Sequence, residues 1–336
     1  MTASCQPEFL QWAALAIEHY PLARPRLEFI RHSENLTFRV SDGRRQYLLR
    51  LHQPKTPTLA DLRQQPQAIL SELQWMAALR SEAGIPVPPV VPNRNGELVT
   101  LILPEGQSDP IPCSLLGWVN GRPFEPAAED APALARRLGE LMARMHAHAA
   151  AWQPPEGFLR PRYGSDHAWA LLEKLSAGVS LGILSPADFA LLRALADALT
   201  ATISEIAQTP EHYGLIHGDL HTGNWLTRRG RIIPLDFSLC AFGYYLFDIA
   251  IAAGSLGTEN AGLRPFFFEG YRRRRPLPED RLRAIEAFFI LSVLGHYTFI
   301  LPDASRHEWL YENIPRMLRT IGQNFLRQEP FFLETD

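Results

Sequence analysis

Cysteine is scarce in this 336-residue chain, and long apolar runs are missing. The three cysteines, Cys5, Cys113 and Cys240, are odd in number and far apart. That spacing indicates neither a disulfide framework nor a zinc knuckle and fits a reducing cytoplasm. At the N-terminus Glu8, Glu18 and His19 punctuate a helical pattern where a secretory signal would carry a basic segment and an apolar core, so no signal peptide is expected. The longest apolar stretch, Phe288 to Leu301, is interrupted by Ser292, Gly295 and His296. It is too short to span a bilayer and reads as a buried helix, with no membrane association. Neither charge sign dominates: the formal net charge of −3 argues against nucleic acid as an obligate partner. Arg272 to Arg275 is a local basic run that reads as a solvated helix end before Pro276, with a phosphate-bearing ligand as the alternative. Internal repeats and low-complexity segments are absent. What is present, 46% apolar and 21% charged residues, is ordinary for a globular protein long enough to build two sub-domains around separate cores.

The most specific stretch is His217-Gly218-Asp219-Leu220-His221-Thr222-Gly223-Asn224, followed by Asp236-Phe237 beyond a short apolar run. A phosphoryl group in transfer carries dispersed negative charge, so an enzyme supplies positioning, a proton acceptor for the attacking hydroxyl, and divalent metal on the nucleotide phosphates. One Asp, one Asn and a second Asp can provide these. His217, Asp219 and Asn224 keep the spacing of the protein-kinase catalytic loop, with Gly218 where kinases have Arg. Asp219 then reads as the base and Asn224 as a metal ligand. Trp225 to Thr227 and Ile232 to Leu235 read as two short strands around the basic turn Arg228-Arg229-Gly230, returning Asp236 as the second metal ligand. The competing interpretation is a polar loop joining a helix to a hairpin, with His217 filling a core gap and Asn224 serving the turn.

The runs Leu215 to Leu226 and Ile233 to Ala250 resemble the aminoglycoside phosphotransferase and choline kinase superfamily, which also holds homoserine kinase-like enzymes and a stress-response protein kinase. The resemblance covers most of the chain, more loosely in the C-terminal third. It implies a kinase-like fold with Asp219 as catalytic base, Asn224 and Asp236 holding Mg2+, and Asp248 as a structural carboxylate beneath the catalytic loop, where His217 also supports the site.

In the N-terminal part Leu27 to Ile30, Leu36 to Val40 and Gln46 to Leu51 are β-rich, and Asp42-Gly43 is a strong hairpin turn. Tyr47, Leu49 and Leu51 share one strand face, which places Arg50 on the other. A helix is expected from about Gln67 to Arg80, with Ile69, Glu72, Leu73, Met76 and Leu79 as its apolar stripe. Glu72 inside that stripe needs a cation, and Arg50 is the candidate, taking the place of the strand Lys that pairs with a helix Glu in kinases. Alternatively Glu72 lies at the stripe's edge and reaches solvent. No glycine-rich phosphate loop joins the first two strands. His32-Ser33-Glu34-Asn35 occupies that turn, so backbone N–H groups with Ser33 or Asn35 would have to cradle phosphate; an ordinary turn is equally compatible. The prolines between Ile85 and Pro92 exclude helix and point to an extended segment leading into a hairpin with Asn93 to Gly96 at its turn, then a strand over 98–103. Pro112 to Gly121 reads as a strand ending in a small-residue bend. By the kinase-like resemblance this bend is the hinge whose backbone meets adenine at Gly117 and Val119, with Leu116 behind the base. A plain strand-to-loop transition would look the same.

The remainder is helix-rich. Pro132 to Ala150 is amphipathic through Leu134, Leu138, Leu141 and Met145, and His146 and His148 near its end face different ways, so they read as structural and not as metal ligands. Ser185-Pro186-Ala187-Asp188 is a helix start. Further helices are expected over 265–274, 278–301 and 305–325. Aromatic density here reads as core packing, with a cage for a cationic amine as the alternative.

Pattern and resemblance together give an α+β, bilobal, protein-kinase-like fold. A small antiparallel β lobe with one key helix (residues 1–118) would bind nucleotide, and a larger, mainly helical lobe (119–336) would carry catalysis and substrate. The expected activity is ATP- and Mg2+-dependent transfer of the γ-phosphate to a hydroxyl of a small molecule, an aminoglycoside, amino alcohol or homoserine-like compound. The alternatives are a Ser/Thr protein kinase, for which no activation segment or Ala-Pro-Glu anchor is visible, and a non-catalytic nucleotide-binding regulator.

Overall fold

Apolar and polar residues alternate along the first strands, and that alternation decides which face of the N-terminal sheet is dry. The computed structural model describes residues 6–33, 35–54, 65–277 and 281–332. Its contacts divide the chain into two compact units, one of Met1–Arg122, Gln153–Pro161 and Leu226–Leu239, the other of Pro123–Trp152, Arg162–Trp225 and Cys240–Asp336.

The first unit contains helix α1 (Pro7–Ile17), strands β1 (Arg26–His32), β2 (Leu36–Asp42) and β3 (Arg45–Leu51), helix α2 (Pro66–Ser81), and strands β4 (Val90–Val91), β5 (Thr100–Ile102) and β6 (Ile111–Gly117). The sheet is antiparallel, in the order β1-β2-β3-β6-β4 with β5 also on β6. Gly43, at a left-handed φ of 60°, closes the β2–β3 hairpin as Asp-Gly predicts. The Asp42 carboxylate accepts the amides of Ala23 and Arg24 and so fastens the chain between α1 and β1 to that turn. Trp12, Ala13, Ala16, Ile17 and Tyr20 bury the face formed by Leu36, Phe38, Val40, Leu49, Leu51, Cys113 and Leu115. Each large side chain there contributes about 1.5–3 kcal/mol. Arg50 and Ser114 alternate onto the opposite face, where Arg50 meets α2 through Glu72.

The expected pairing around Asn93 to Gly96 takes a different form. β4 and β5 do not pair with each other; both lie along β6, with Val90 and Val91 opposite Leu116 and Leu115, and Thr100 to Ile102 opposite Cys113 to Ile111. Pro86, Pro88, Pro89 and Pro92 have no N–H to give a ladder, which limits β4 to two residues. The Asn93 side-chain oxygen accepts the Asn95 and Glu97 amides and holds the bend between them.

The second unit holds α3 (Ala131–Ala151), α4 (His167–Leu175), α5 (Ala177–Ser180), α6 (Pro186–Ser204) and β7 (Tyr213–Ile216). Next along the chain comes the hairpin of β8 (Trp225–Arg228) and β9 (Arg231–Pro234), most of which belongs to the first unit. The second unit resumes with β10 (Ala241–Tyr244), paired antiparallel with β7, then α7 (Tyr245–Glu259), α8 (Arg264–Arg272), α9 (Leu282–Ile300), α10 (Leu310–Met317) and α11 (Gln323–Leu326). Ser185 and Asp188 form the capping box that starts α6, and Arg319 holds the Asp188 carboxylate with two bonds of 2.8 Å. The apolar stretch read as too short for a membrane runs on into a following turn. Arg283–Arg306 is long and apolar enough to cross a membrane by length and composition alone, and 56% of its apolar window is buried within the protein. The single helix expected over 305–325 is broken. Pro315 within α10 offers no N–H to the preceding turn, and Leu318–Gly322 widens to π-helical bonding before α11.

α3 and α8 meet through glycines on both sides. A Cβ on Gly139 would lie 2.0 Å from the Phe267 carbonyl oxygen, and one on Gly270 would lie 1.9 Å from that of Arg136. Gly295 in α9 faces open space. We expect Gly139→Ala and Gly270→Ala each to cost about 2–3 kcal/mol in urea unfolding, since backbone must move. Gly295→Ala should add roughly 0.5–1 kcal/mol through helix propensity.

Candidate active site

β7 leads directly into His217, and α7 brings one carboxylate under the loop that follows. Asp248, fully buried, accepts the His217 amide at 2.8 Å with Oδ2 and the Gly218 amide at 2.8 Å with Oδ1. The next amide, Asp219 N–H, donates to His217 Nδ1 at 3.3 Å, which places the His217 proton on Nε2 in the neutral ring. Three successive amides are therefore anchored. Gly218 has φ 79°, a left-handed conformation an Arg would resist, which gives a local reason for glycine where kinases carry arginine.

Asp248 has a third partner that sequence spacing did not reveal. His146 of α3 donates from Nε2 to Asp248 Oδ2 at 3.1 Å, while its Nδ1 accepts from the Tyr271 hydroxyl at 2.9 Å. Burial alone would raise the Asp248 carboxyl, but the hydrogen bonds from His146 and the loop amides outweigh it and hold the group below its ordinary value. Burial pushes His146 down against the pull of Asp248, so the ring is neutral. The structural reading of His146 is thereby given a specific content. The signal available in the sequence was a histidine close to the end of a helix, and nothing there pointed across 102 residues to Asp248.

Above this anchor, the half-buried Asp219 carboxylate accepts Asn224 Nδ2 at 2.7 Å on Oδ2, and the same amide also donates to the Asp219 carbonyl at 2.8 Å. With Nδ2 committed twice, Asn224 directs Oδ1 away from Asp219. His221 Nε2 lies 3.7 Å from the same Asp219 oxygen, a neighbour the spacing argument had not singled out. Thr222 to Asn224 form one 3-10 turn, tied to α7 by Thr222 N–H donating to Ser255 Oγ at 2.9 Å.

In the first unit Arg50 Nη1 donates to Glu72 Oε1 at 2.8 Å, with both side chains about 95% buried or more, and Arg50 Nε donates to Ser114 Oγ at 3.2 Å. Arg50 Nη2 is buried with no hydrogen-bond partner among the described residues. An oriented N–H without an acceptor in the interior fits an anionic ligand. His52 shares the Ser114 hydroxyl, and burial followed by the Arg50 charge pushes its imidazole well below the ordinary value. Asn35 lies just before β2, its carbonyl accepting from Ser33 N–H at 3.2 Å; Glu34 lies outside the described residues.

At the end of β6, Gly117 N–H donates to the Pro89 carbonyl at 2.7 Å and Trp118 N–H to that of Gln46 at 2.9 Å. Gly117 thus turns its N–H and C=O to the Pro89 side, and Trp118 turns to β3. Pro89 has no N–H to return to the Gly117 carbonyl, and Val119 lies two residues beyond the end of β6. Of the expected hinge residues, Gly117 therefore leaves its carbonyl without the ladder donor that a residue other than proline would supply. Pro89, whose Cγ lies 2.6 Å from where a Gly117 Cβ would be, was not among the residues expected from sequence.

The β8–β9 hairpin turns at Arg229 and Gly230, with φ 50° and 72°, and β9 delivers Asp236. Asp236 has φ 56°, is exposed, and has no hydrogen-bond or ion-pair partner among the described residues. A non-glycine residue held there is strained, and such strain gathers at functional positions. Phe237 beside it is buried edge-on against Trp75 at 5.5 Å. The Asn224 amide oxygen and, in the first unit, the Asp236 carboxylate are each the kind of donor that a hard cation takes, and among the described residues no group of three His, Cys, Asp or Glu is gathered to hold a metal ion.

The buried neutral imidazoles of His52 and His146 set a pH dependence. The unfolded chain takes up these protons near pH 6.5 and the folded chain does not, so stability is full above about 6.5 and falls as pH is lowered toward the depressed folded values. Asp248, held low, adds a further loss below about pH 4. A thermal-melting series from pH 7.5 to 4.5 should show the first decline, and His146→Gln should flatten it. An unchanged slope in that variant would contradict the neutral assignment.

Comparison with known proteins places this geometry. The model of APH, described as a phosphotransferase enzyme family, matches residues 26–284. The structure of a microcompartment-associated aminopropanol kinase superposes with a TM-score of 0.75 at 26% identity, covering 95% of this chain and 98% of that one. Amicoumacin kinase hAmiN, in complex with AMP-PNP, Ca2+ and Ami, gives 0.77 at 22% identity over 99% and 96% of the two chains, a likeness of fold. A Deinococcus radiodurans protein is 28% identical over 323 residues, 94% of this chain and 88% of its own length. The protein-kinase-like fold expected from the sequence is the fold of these neighbours.

Proposed function

The chain belongs to the APH phosphotransferase enzyme family, and from that premise we propose that it transfers the γ-phosphate of ATP to a hydroxyl of a small molecule of the aminoglycoside, amino-alcohol or homoserine-like type. The observation that carries this assignment is the Asp219 carboxylate, one-third exposed and fixed by Asn224 Nδ2 at 2.7 Å on a loop whose amides at His217, Gly218 and Asp219 itself are anchored. A carboxylate oriented in this way accepts the proton of an attacking hydroxyl as the oxygen closes on phosphorus. Asn224 and Asp236 are assigned as Mg2+ ligands. When bound, the ion neutralises charge developing on the phosphate oxygens. Arg50, oriented by Glu72, donates to nucleotide phosphate through the unpaired Nη2, and Asn35 assists at the β1–β2 turn. The Gly117 carbonyl and Val119 N–H pair with adenine. His217 and Asp248 support the loop without touching substrate. The named activities of the neighbours, on aminopropanol and amicoumacin, favour a small acceptor.

Asp219→Asn should lower ATP-dependent phosphorylation of hydroxyl metabolites by about 10²–10⁴-fold while sparing nucleotide binding. Wild-type turnover in that variant would defeat the proposal.

Pro89→Ala supplies an N–H to the Gly117 carbonyl and closes the acceptor. We expect ATP binding, by calorimetry, to weaken roughly threefold to tenfold, the worth of one hydrogen bond. Unaltered affinity would remove this edge from the nucleotide site.

A further inference from the structure

Two of the groups assigned above are joined by a buried arginine. Arg160, 4% exposed, lies next to the end of the segment Gln153–Pro161 that returns to the first unit. Its Nη1 donates to the Ala68 carbonyl at 3.3 Å and its Nη2 to the Ser238 carbonyl at 2.5 Å. Ala68 lies one helical turn before Glu72 on α2, and Ser238 lies two residues after Asp236. The same segment grips α2 twice more: Leu159 N–H donates to Ser71 Oγ at 2.8 Å, and Gln67 Nε2 donates to the Gly157 carbonyl at 2.6 Å.

Burying a guanidinium is costly, and an apolar side chain of similar volume would fill the space without that cost. What an apolar residue lacks is the planar fork that donates to carbonyls on two separate elements at once. One of those carbonyls belongs to the turn in which Asp236 is held at φ 56°, a conformation that persists only where its surroundings impose it. The other belongs to the helix whose Glu72 orients Arg50.

We propose that Arg160 is a positioning residue for Asp236: by binding the Ser238 carbonyl to α2 it holds the Asp236 carboxylate in the orientation that takes Mg2+, in register with the Arg50–Glu72 pair. This rests on Asp236 being an Mg2+ ligand.

The test is calorimetric titration of the full chain with AMP-PNP, once with Mg2+ and once with EDTA. In Arg160→Lys, whose ammonium cannot fork to both carbonyls, the Mg2+-dependent gain in affinity should fall about tenfold or more, as for other residues that orient metal ligands. Affinity in EDTA should stay within about twofold, below the scale of one hydrogen bond. A wild-type Mg2+-dependent gain in the folded variant overturns the proposal. So does an equal fall with and without Mg2+, the mark of a residue that only supports the fold. If Arg160→Lys does not fold, Arg160→Gln is read by the same two titrations. Asp236→Asn is the companion measurement. If it keeps the wild-type gain, the Asp236 assignment itself fails; if it loses the gain while the Arg160 variants keep it, only the role of Arg160 fails.

Discussion

The start of the loop from His217 to Asn224, and with it the placing of Asp219, depends on one buried carboxylate. Asp248 accepts two consecutive backbone amides, and His146 donates to it from a third element. An isolated carboxylate in that interior would protonate, because desolvation penalises the charge. Three hydrogen bonds keep it ionised, and an ionised carboxylate is the acceptor that two parallel amides require. The loop's shape and the charge state of Asp248 are thus one condition. Asp219 is placed by that condition and by Asn224, so the proposed chemistry inherits its geometry from a residue that takes no part in it.

Helix α2 plays a comparable role in the first unit. Glu72 holds Arg50 on one side, and Ser71, Ala68 and Gln67 hold the segment around Arg160 on another. A helix gripped this way must be buried on more than one side. Ala68, Ser71, Trp75 and Ala78 are buried along with the stripe of Ile69, Glu72, Leu73, Met76 and Leu79. Arginine in the position where kinases use lysine fits this setting: it gives one N–H to Glu72 and another to Ser114, and Nη2 has no partner among the described residues.

What could be read from the residues was whatever local chemistry determines. Asp42-Gly43 specified a hairpin, Ser185 to Asp188 a capping box, and the strand alternation put Arg50 on the face where Glu72 waited. The loop spacing located Asp219 and Asn224, which the structure joins by a direct hydrogen bond. What escaped depends on contacts between distant segments. The second buried side of α2 is created by residues 157–160 and Phe237, and His146 finds Asp248 and Tyr271 only after the helices pack. β4 and β5 looked like partners because they are neighbours in sequence. Both pair with β6 instead, and the prolines on either side of β4 hold it to two residues. Pro315 lay inside a pattern that otherwise read as one helix; α10 runs through it to Met317, and the bonding then widens to a π turn over Leu318–Gly322.

The central claim is that this constellation moves a phosphoryl group from ATP to a small hydroxyl compound. The most direct measurement is 31P NMR of the wild-type chain with ATP, Mg2+ and a panel of amino alcohols, amino sugars and hydroxy amino acids. The account predicts a new phosphomonoester resonance growing in step with ADP for at least one acceptor. ADP accompanied only by inorganic phosphate across the panel, or tight nucleotide binding with no ADP, would contradict it.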